Sequence, residues 1–345
     1  MTRVGYYDDP VFGEHDAGPG HPERPARLDA VRRGLREARL VDALVPLAPR
    51  EATREELLRV HSAAHVDRVA ATEGRRVRFD ADTASGPRSY AAALRAAGAV
   101  ADAVDNVLDG AIDRAFCNVR PPGHHATRDR PMGFCLFNNV AVGTAAALAR
   151  GLTRVAVIDF DVHHGNGTQE AFYADPRALY VSSHRFPFYP GTGGLDEVGE
   201  GGGRGFTVNL PMPPGLGDGD YRAAYREIVE PVGRAFDPEL VLVSAGFDSH
   251  RDDPLGGMDL AAAGFAELMD VCLAVASGAA RGRLVAVLEG GYDLDGLAES
   301  AAATVGQMLG RPPRALAAPP VPGVEKLLEA YRKAHAQHWS ALRRP

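Results

Sequence analysis

The chain has 345 residues, 24% charged and 45% hydrophobic, which is the composition of an ordinary globular protein long enough to bury a sizeable core. Its formal net charge of -7 gives no basic footprint for nucleic acid, no apolar run reaches the length of a membrane span, and the N-terminus lacks a signal-peptide core. Three widely spaced cysteines, Cys117, Cys135 and Cys272, argue against a disulfide framework and for a reducing, cytoplasmic setting.

In chain order, β-rich runs are expected at Val4–Tyr7, Ala115–Val119, Val155–Phe160, Leu179–Ser182, Phe206–Leu210, Leu240–Ala245 and Leu284–Leu288. Between many of them, apolar residues recur at three- and four-residue spacing. That spacing predicts helices at Arg24–Ala38, Tyr90–Leu108, Val140–Ala149, Tyr221–Phe236, Leu260–Ala276 and Leu297–Leu309. Strands alternating with helices predict an α/β fold, a parallel sheet covered on both faces. Residues 1–310 read as one domain. Residues 311–345 read as a Pro-rich connection, Arg311–Pro322, and a C-terminal helix near Gly323–Leu342 packed back on it.

In open parallel sheets, functional groups gather past the carboxyl ends of the strands. Four expected strands here end in polar clusters. Ala115–Val119 leads into Arg120-Pro-Pro-Gly-His-His-Ala126, and Val155–Ile158 into Asp159-Phe-Asp-Val-His-His-Gly-Asn-Gly-Thr168. Leu240–Ser244 leads into Ala245-Gly-Phe-Asp-Ser-His-Arg-Asp-Asp-Pro254, and Leu284–Leu288 into Glu289-Gly-Gly-Tyr-Asp293. Strand residues two apart share a face, so Asp159, Asp161 and His163 start out aligned. An isolated Asp-x-His more often caps a helix or pairs within a loop. Asp248, a third ligand after another strand, shifts the balance to a metal site with open positions, for which zinc is the natural candidate and Fe(II), Mn or Co are admitted.

The adjacent His124 and His125 suit proton exchange near neutral pH, with Asp159 and Asn166 as the obvious partners for their other ring nitrogens. Tyr292 follows two glycines that let its hydroxyl swing into a cleft beside a forming oxyanion. The glycines at 165, 167, 191, 193 and 194 fit neither nucleotide-binding signature. Ser182 and Ser244 lack a nucleophile elbow.

Taken together, Arg-Pro-Pro-Gly-His-His, Asp-Val-His-His-Gly-Asn-Gly-Thr and Glu-Gly-Gly-Tyr resemble the histone deacetylase superfamily, including its bacterial class II-like deacetylases and acetylpolyamine amidohydrolases. The resemblance runs from His21-Pro-Glu-Arg24 to about residue 310. It implies an arginase/deacetylase-type single domain with about eight parallel strands. It implies Asp161, His163 and Asp248 as zinc ligands, and a potassium site at Asp159, Asp161, His163 and Ser182. His124, His125 and Tyr292 would be catalytic, with Asp159 the partner of His124 and Asn166, where some members have Asp, the partner of His125. Phe134 and Tyr189 would wall the substrate tunnel, with Gly133 beside the first wall and Leu255 at the gate. Arg24 would stand at the acetate exit, and Asp80 or Asp82 would be the rim carboxylate.

The implied reaction is hydrolysis of the acetamide of acetyl-lysine, or a similar acetylated amine, to amine and acetate, with His125 as the expected base. The apolar Leu255 disfavours a second cation deep in the tunnel, which leaves acetylpolyamine or another small amide as the alternative substrate. Two further readings are weaker. An arginase-like two-metal site needs an Asp-x-His-x-Asp arrangement that Asp161-Val-His-His-Gly does not provide. A non-catalytic acetyl-lysine-binding scaffold would usually lack one of the residues present here. Oligomeric state is left open.

Overall fold

The computed structural model describes residues 2–311 and 320–343. Eight strands form one sheet: β1 (Val4–Tyr7), β2 (Leu44–Leu47), β5 (Arg114–Cys117), β6 (Val155–Asp159), β7 (Ala178–Arg185), β8 (Thr207–Met212), β9 (Leu240–Ala245) and β10 (Leu284–Leu288). A separate two-stranded ribbon pairs β3 (Val77–Arg78) with β4 (Ala84–Ser85). The large sheet runs in the order β2-β1-β5-β10-β9-β6-β7-β8, and every pairing in it is parallel.

Helices cover both faces. The central strands β6, β9 and β10 are therefore buried along their whole length, which is why they read as continuous apolar runs without alternation. All seven expected strands form. Sequence reading passes over the short β3–β4 ribbon and, in the large sheet, β2, Leu-Val-Pro-Leu, a half-exposed edge strand. Pro46 cannot donate to a ladder, and an edge tolerates that loss. The six expected helices form within a few residues of their expected ends. The run Tyr221–Phe236 is helical but widened at Tyr225–Val229 into a π turn. Pro231 lies two residues beyond it and has no N–H for the carbonyl one turn back.

The Pro-rich stretch Arg311–Pro322 lies mostly outside the described residues. The helix beyond it, Val324–His335, docks on the sheet edge. There the Tyr331 hydroxyl donates to the Pro211 carbonyl at 2.9 Å, and Trp339 Nε1 donates to the Gly205 carbonyl at 2.9 Å. Cys117, Cys135 and Cys272 are free and buried. Among the described residues, no helix is long and apolar enough to cross a membrane.

The sheet order has one decisive consequence. β5, β10, β9 and β6 are consecutive neighbours, so the four polar loops at their carboxyl ends open onto the same place.

Candidate active site

The loops after β6 and β9 bring two carboxylates and an imidazole into contact. His163 Nδ1 lies 3.1 Å from Asp161 Oδ1 and 3.1 Å from Asp248 Oδ2. One ligand atom from each of Asp161, His163 and Asp248 falls within 4.8 Å of the others. The remaining carboxylate oxygens are held by backbone: Asp161 Oδ2 accepts from Gly290 N at 2.8 Å, and Asp248 Oδ1 from Val162 N at 2.8 Å. Glycines leave room around them. A Cβ at Gly246 would meet Asp161 Oδ2 at 2.0 Å, and one at Gly290 would meet Asp248 Oδ2 at 2.2 Å. A mixed carboxylate–imidazole set with pre-oriented oxygens and cleared approach fits a divalent ion.

The electrostatics of the triad point the same way. Against burial, Asp161 and Asp248 hold His163 up at about 9. Burial, and then the charge of Asp161, push Asp248 up to about 7. Two buried carboxylates compete for one positive partner, and a dication would satisfy both.

The tandem histidines stand beside this triad with rings 4.0 Å apart. Their partners differ. His124 Nδ1 donates to Asp159 Oδ2 at 3.0 Å, and that oxygen also accepts from the Tyr180 hydroxyl at 3.1 Å. His125 Nδ1 pairs with Asn166 Oδ1 at 2.9 Å. The Asn166 amide nitrogen faces the Met132 sulfur and the His125 carbonyl, both at 3.4 Å, which orients the oxygen toward the ring. Burial lowers both imidazoles. Asp161 and Asp159 more than offset it for His124, which rises to about 10. His125 has no adjacent carboxylate partner, and burial and the neighbouring histidines hold it well below the usual range. The two rings are thus biased in opposite directions.

Phe134 and Tyr189 flank the approach. Phe134 stands edge-on to Tyr292 at 5.9 Å, and Tyr189 edge-on to His125 at 5.1 Å. Gly133 has φ +55, and a Cβ there would meet the His125 ring at 2.4 Å. Only glycine suits both the backbone and the contact. Phe134 itself sits at φ +69, an unusual conformation for an aromatic residue that recurs at functional sites. Leu255 is partly exposed, on a loop whose Gly256 packs against the Asp248 carbonyl. Ser182 is paired directly across from Asp159 in the β6–β7 register, with its hydroxyl 2.9 Å from His184 Nδ1. In the rim hairpin, Asp80 Oδ1 accepts from the backbone of Asp82 at 3.0 Å and of Thr83 at 2.6 Å. Asp82 Oδ1 accepts from the Thr83 hydroxyl at 3.1 Å, so both carboxylates are engaged within the hairpin.

The structure corrects one expectation. Arg24 is exposed. The arginine buried beside the Tyr292 turn is Arg27, whose guanidinium lies 5.0 Å from the Tyr292 ring centre. Its Nε donates to the Gly291 carbonyl at 2.6 Å, another nitrogen donates to the Glu289 carbonyl, and Glu23 pairs with it at 3.1 Å. A three-residue step along a helix selects the face, and Arg27 shares its inward stripe with Ala30, Val31 and Gly34. That stripe was the available signal. Sequence reasoning also passed over Glu289, whose buried carboxylate accepts from Gly123 N at 2.6 Å and His124 N at 3.1 Å and so holds the histidine loop.

Fold and site together define a class: a parallel α/β domain with an Asp–His–Asp triad that could hold a metal ion, paired histidines and a tyrosine at the carboxyl edge of its sheet. The chain belongs to the histone deacetylase family, whose domain model, Histone deacetylase domain, matches residues 21–308. It is 40% identical over 336 residues to "Histone deacetylase 15" of Arabidopsis thaliana, covering 93% of this chain and 59% of that one. It is 44% identical over 337 residues to "Polyamine deacetylase HDAC10" of Homo sapiens, covering 93% and 50%. A "Probable deacetylase" of Archaeoglobus fulgidus is 41% identical over 300 residues, covering 86% and 82%. Among solved structures, the HD domain of HDA15 superposes with a TM-score of 0.93 at 38% identity, covering 99% of this chain and 96% of that one. The chain thus spans between half and three-fifths of the Arabidopsis and human relatives.

Proposed function

We propose that the protein is a metal-dependent deacetylase that hydrolyses the acetamide of an acetyl-lysine side chain, or of a similar acetylated amine, to amine and acetate. The observation that carries this reading is the opposite bias of His124 and His125 beside a metal-ligating triad. One buried ring is held charged by Asp159 while its neighbour is left neutral on Asn166. Environments that push two adjacent titratable groups apart assign an acid and a base.

Asp161, His163 and Asp248 would hold the ion, zinc by ligand type with Fe(II) admitted. Once bound, the ion supplies Lewis-acid polarisation and a more acidic water. The chain's own residues do the rest. His125, with its Nδ1 proton committed to Asn166, presents a bare Nε2 that takes the proton of the attacking water. Tyr292 remains protonated, because burial raises its hydroxyl well above the ordinary value despite Arg27. It donates to the oxyanion as charge develops. His124, held as a cation by Asp159, stabilises that charge and supplies the proton that the leaving amine needs. Phe134, Tyr189 and Leu255 confine the aliphatic stem, Asp80 or Asp82 anchors the substrate at the rim, and Arg27 replaces Arg24 as the cation beside the acetate. A potassium ion at Asp159, Asp161, His163 and Ser182, and a cytoplasmic location in keeping with three free buried cysteines, complete the reading.

The likeness to a protein named as a polyamine deacetylase favours a second substrate class, acetylpolyamine. The partly exposed, apolar Leu255 weighs against it, because it offers no charge to a second cation. The test is turnover of acetyl-lysine peptides and acetylspermidine by zinc- and iron-loaded protein. Faster turnover of the peptide is expected. Absence of turnover on either substrate with either metal would end the deacetylase reading.

A further inference from the structure

Asp253 lies two residues before the gate and takes no part in the chemistry described above. It is 7% exposed; the charge of Arg27 acts on it from a distance, with no direct ion pair to it among the described residues. Its charge is instead held by three backbone N–H groups from two separate segments. Oδ1 accepts from Leu255 N at 2.9 Å. Oδ2 accepts from Tyr292 N at 2.6 Å and from Asp293 N at 3.2 Å. Asp293 in turn caps the helix Leu294–Met308 through Gly296 N at 2.7 Å. One oxygen thus serves the gate loop and the other the tyrosine turn.

That turn needs a restraint. Gly290 and Gly291 precede Tyr292, and Gly291 sits at φ +116. Two glycines give the turn its shape but no stiffness of their own. Arg27 holds the carbonyl side, at Glu289 and Gly291; Asp253 holds the amide side. The gate loop is held on its carbonyl side, where Gly256 accepts from Arg185 at 3.0 Å and Gly257 from Gly215 N at 3.0 Å; Pro254 has no N–H, so Asp253 adds the amide-side restraint at Leu255.

We infer that Asp253 is a positioning residue for both catalysis and specificity. Its carboxylate locks the backbone of the gate residue Leu255 to the backbone of Tyr292, so that tunnel width and the placing of the oxyanion donor are set together. This rests on the deacetylase reading for its functional consequence, but not for its structural content. Both oxygens must accept, which only a carboxylate does. In Asp253→Asn one end becomes an NH2 group facing an N–H donor. Either the gate or the turn loses its anchor, whichever way the amide lies.

The test has two arms. In the parent protein, hydrogen–deuterium exchange should be slow in peptides covering 253–256 and 290–294. Fast exchange of either segment in the folded parent overturns the inference, whatever the activity. In Asp253→Asn, kcat on an acetyl-lysine peptide should fall about tenfold or more, the loss expected of a misplaced donor. Its preference for that peptide over acetylspermidine should change by about threefold or more, with zinc content and unfolding temperature near those of the parent. Parent-like kcat and preference would overturn it, as would losses explained wholly by lost metal or lost fold. An inactive parent with slow exchange would instead indict the proposed function and leave the clamp in place.

Discussion

At the residue scale the site works by contrast between neighbours. His124 and His125 share a loop and a dry environment, and differ in whether a carboxylate or an amide faces Nδ1. Replacing Asn166 with Asp should erase that contrast. A carboxylate favours the imidazolium and raises the pKa of His125. The neutral base is then lost at a higher pH on acidification, so the acid limb of the kcat/KM profile should move upward. A limb left in place would separate Asn166 from the base. For Tyr292→Phe, one donor to the oxyanion is removed while the ring and its contact with Phe134 remain. Turnover should fall by about 10²–10³ with metal content unchanged by elemental analysis. Gly133→Ala should also be inactive, since its Cβ would press on His125 at 2.4 Å and its φ of +55 disfavours a side chain. The ligands, histidines and tyrosine were legible because their types are rare together after apolar runs. Arg27 was not, because an arginine inside an Arg-rich helical pattern looks like a solvated face until the helix is docked.

At the element scale the central strands hold the site and the helices hold the strands. The helices Ala26–Glu37 and Leu294–Met308 pack at very short range through Gly34, where a Cβ would meet the Ala298 carbonyl at 2.0 Å. Gly34→Val should therefore overpack this contact and cost about 1–3 kcal/mol, read as a lower midpoint in urea unfolding. Because Arg27 and Tyr292 are carried on or beside these helices, activity should fall before the protein unfolds. Element types were legible from periodicity, and the buried strands from their continuous apolar runs. The edge strand Leu44–Leu47 was not, being four residues with a proline and half of each face in water. Its strand character comes from pairing with Val4–Tyr7 and not from its own pattern.

At the scale of the whole molecule the site is a strained assembly of charge that an ion would relieve. In metal-free protein, Asp161 and Asp248 lift His163 to about 9, above its ordinary value near 6.5. A group raised on folding adds stability that is complete below its unfolded pKa and is lost as pH rises through the folded one. Metal-free protein should therefore lose stability between about pH 6.5 and 9, and metal-loaded protein should lose less over that window. Thermal unfolding of both forms across this range checks it. Chelation should lower the unfolding temperature wherever the ligands are deprotonated enough to bind the ion, because ligand bound only by the folded state stabilises by mass action, about 4 kcal/mol at a thousandfold excess over Kd.

By itself, the sequence determined the parallel α/β class and the chemical inventory of the site, because hydrophobic periodicity and residue type are local properties. Polar clusters at strand ends already pointed to a metal site, and together they carry the resemblance to the histone deacetylase family. Only the tertiary structure decided how they meet. The strands that carry them are fifth, sixth, ninth and tenth in the chain, yet side by side in the sheet. It also decided which arginine turns inward and which buried carboxylates, Glu289 and Asp253, hold the reacting loops. Those roles depend on hydrogen bonds between segments up to 264 residues apart, and strand order is set by how the helices pack on both faces, not by any pattern within one segment.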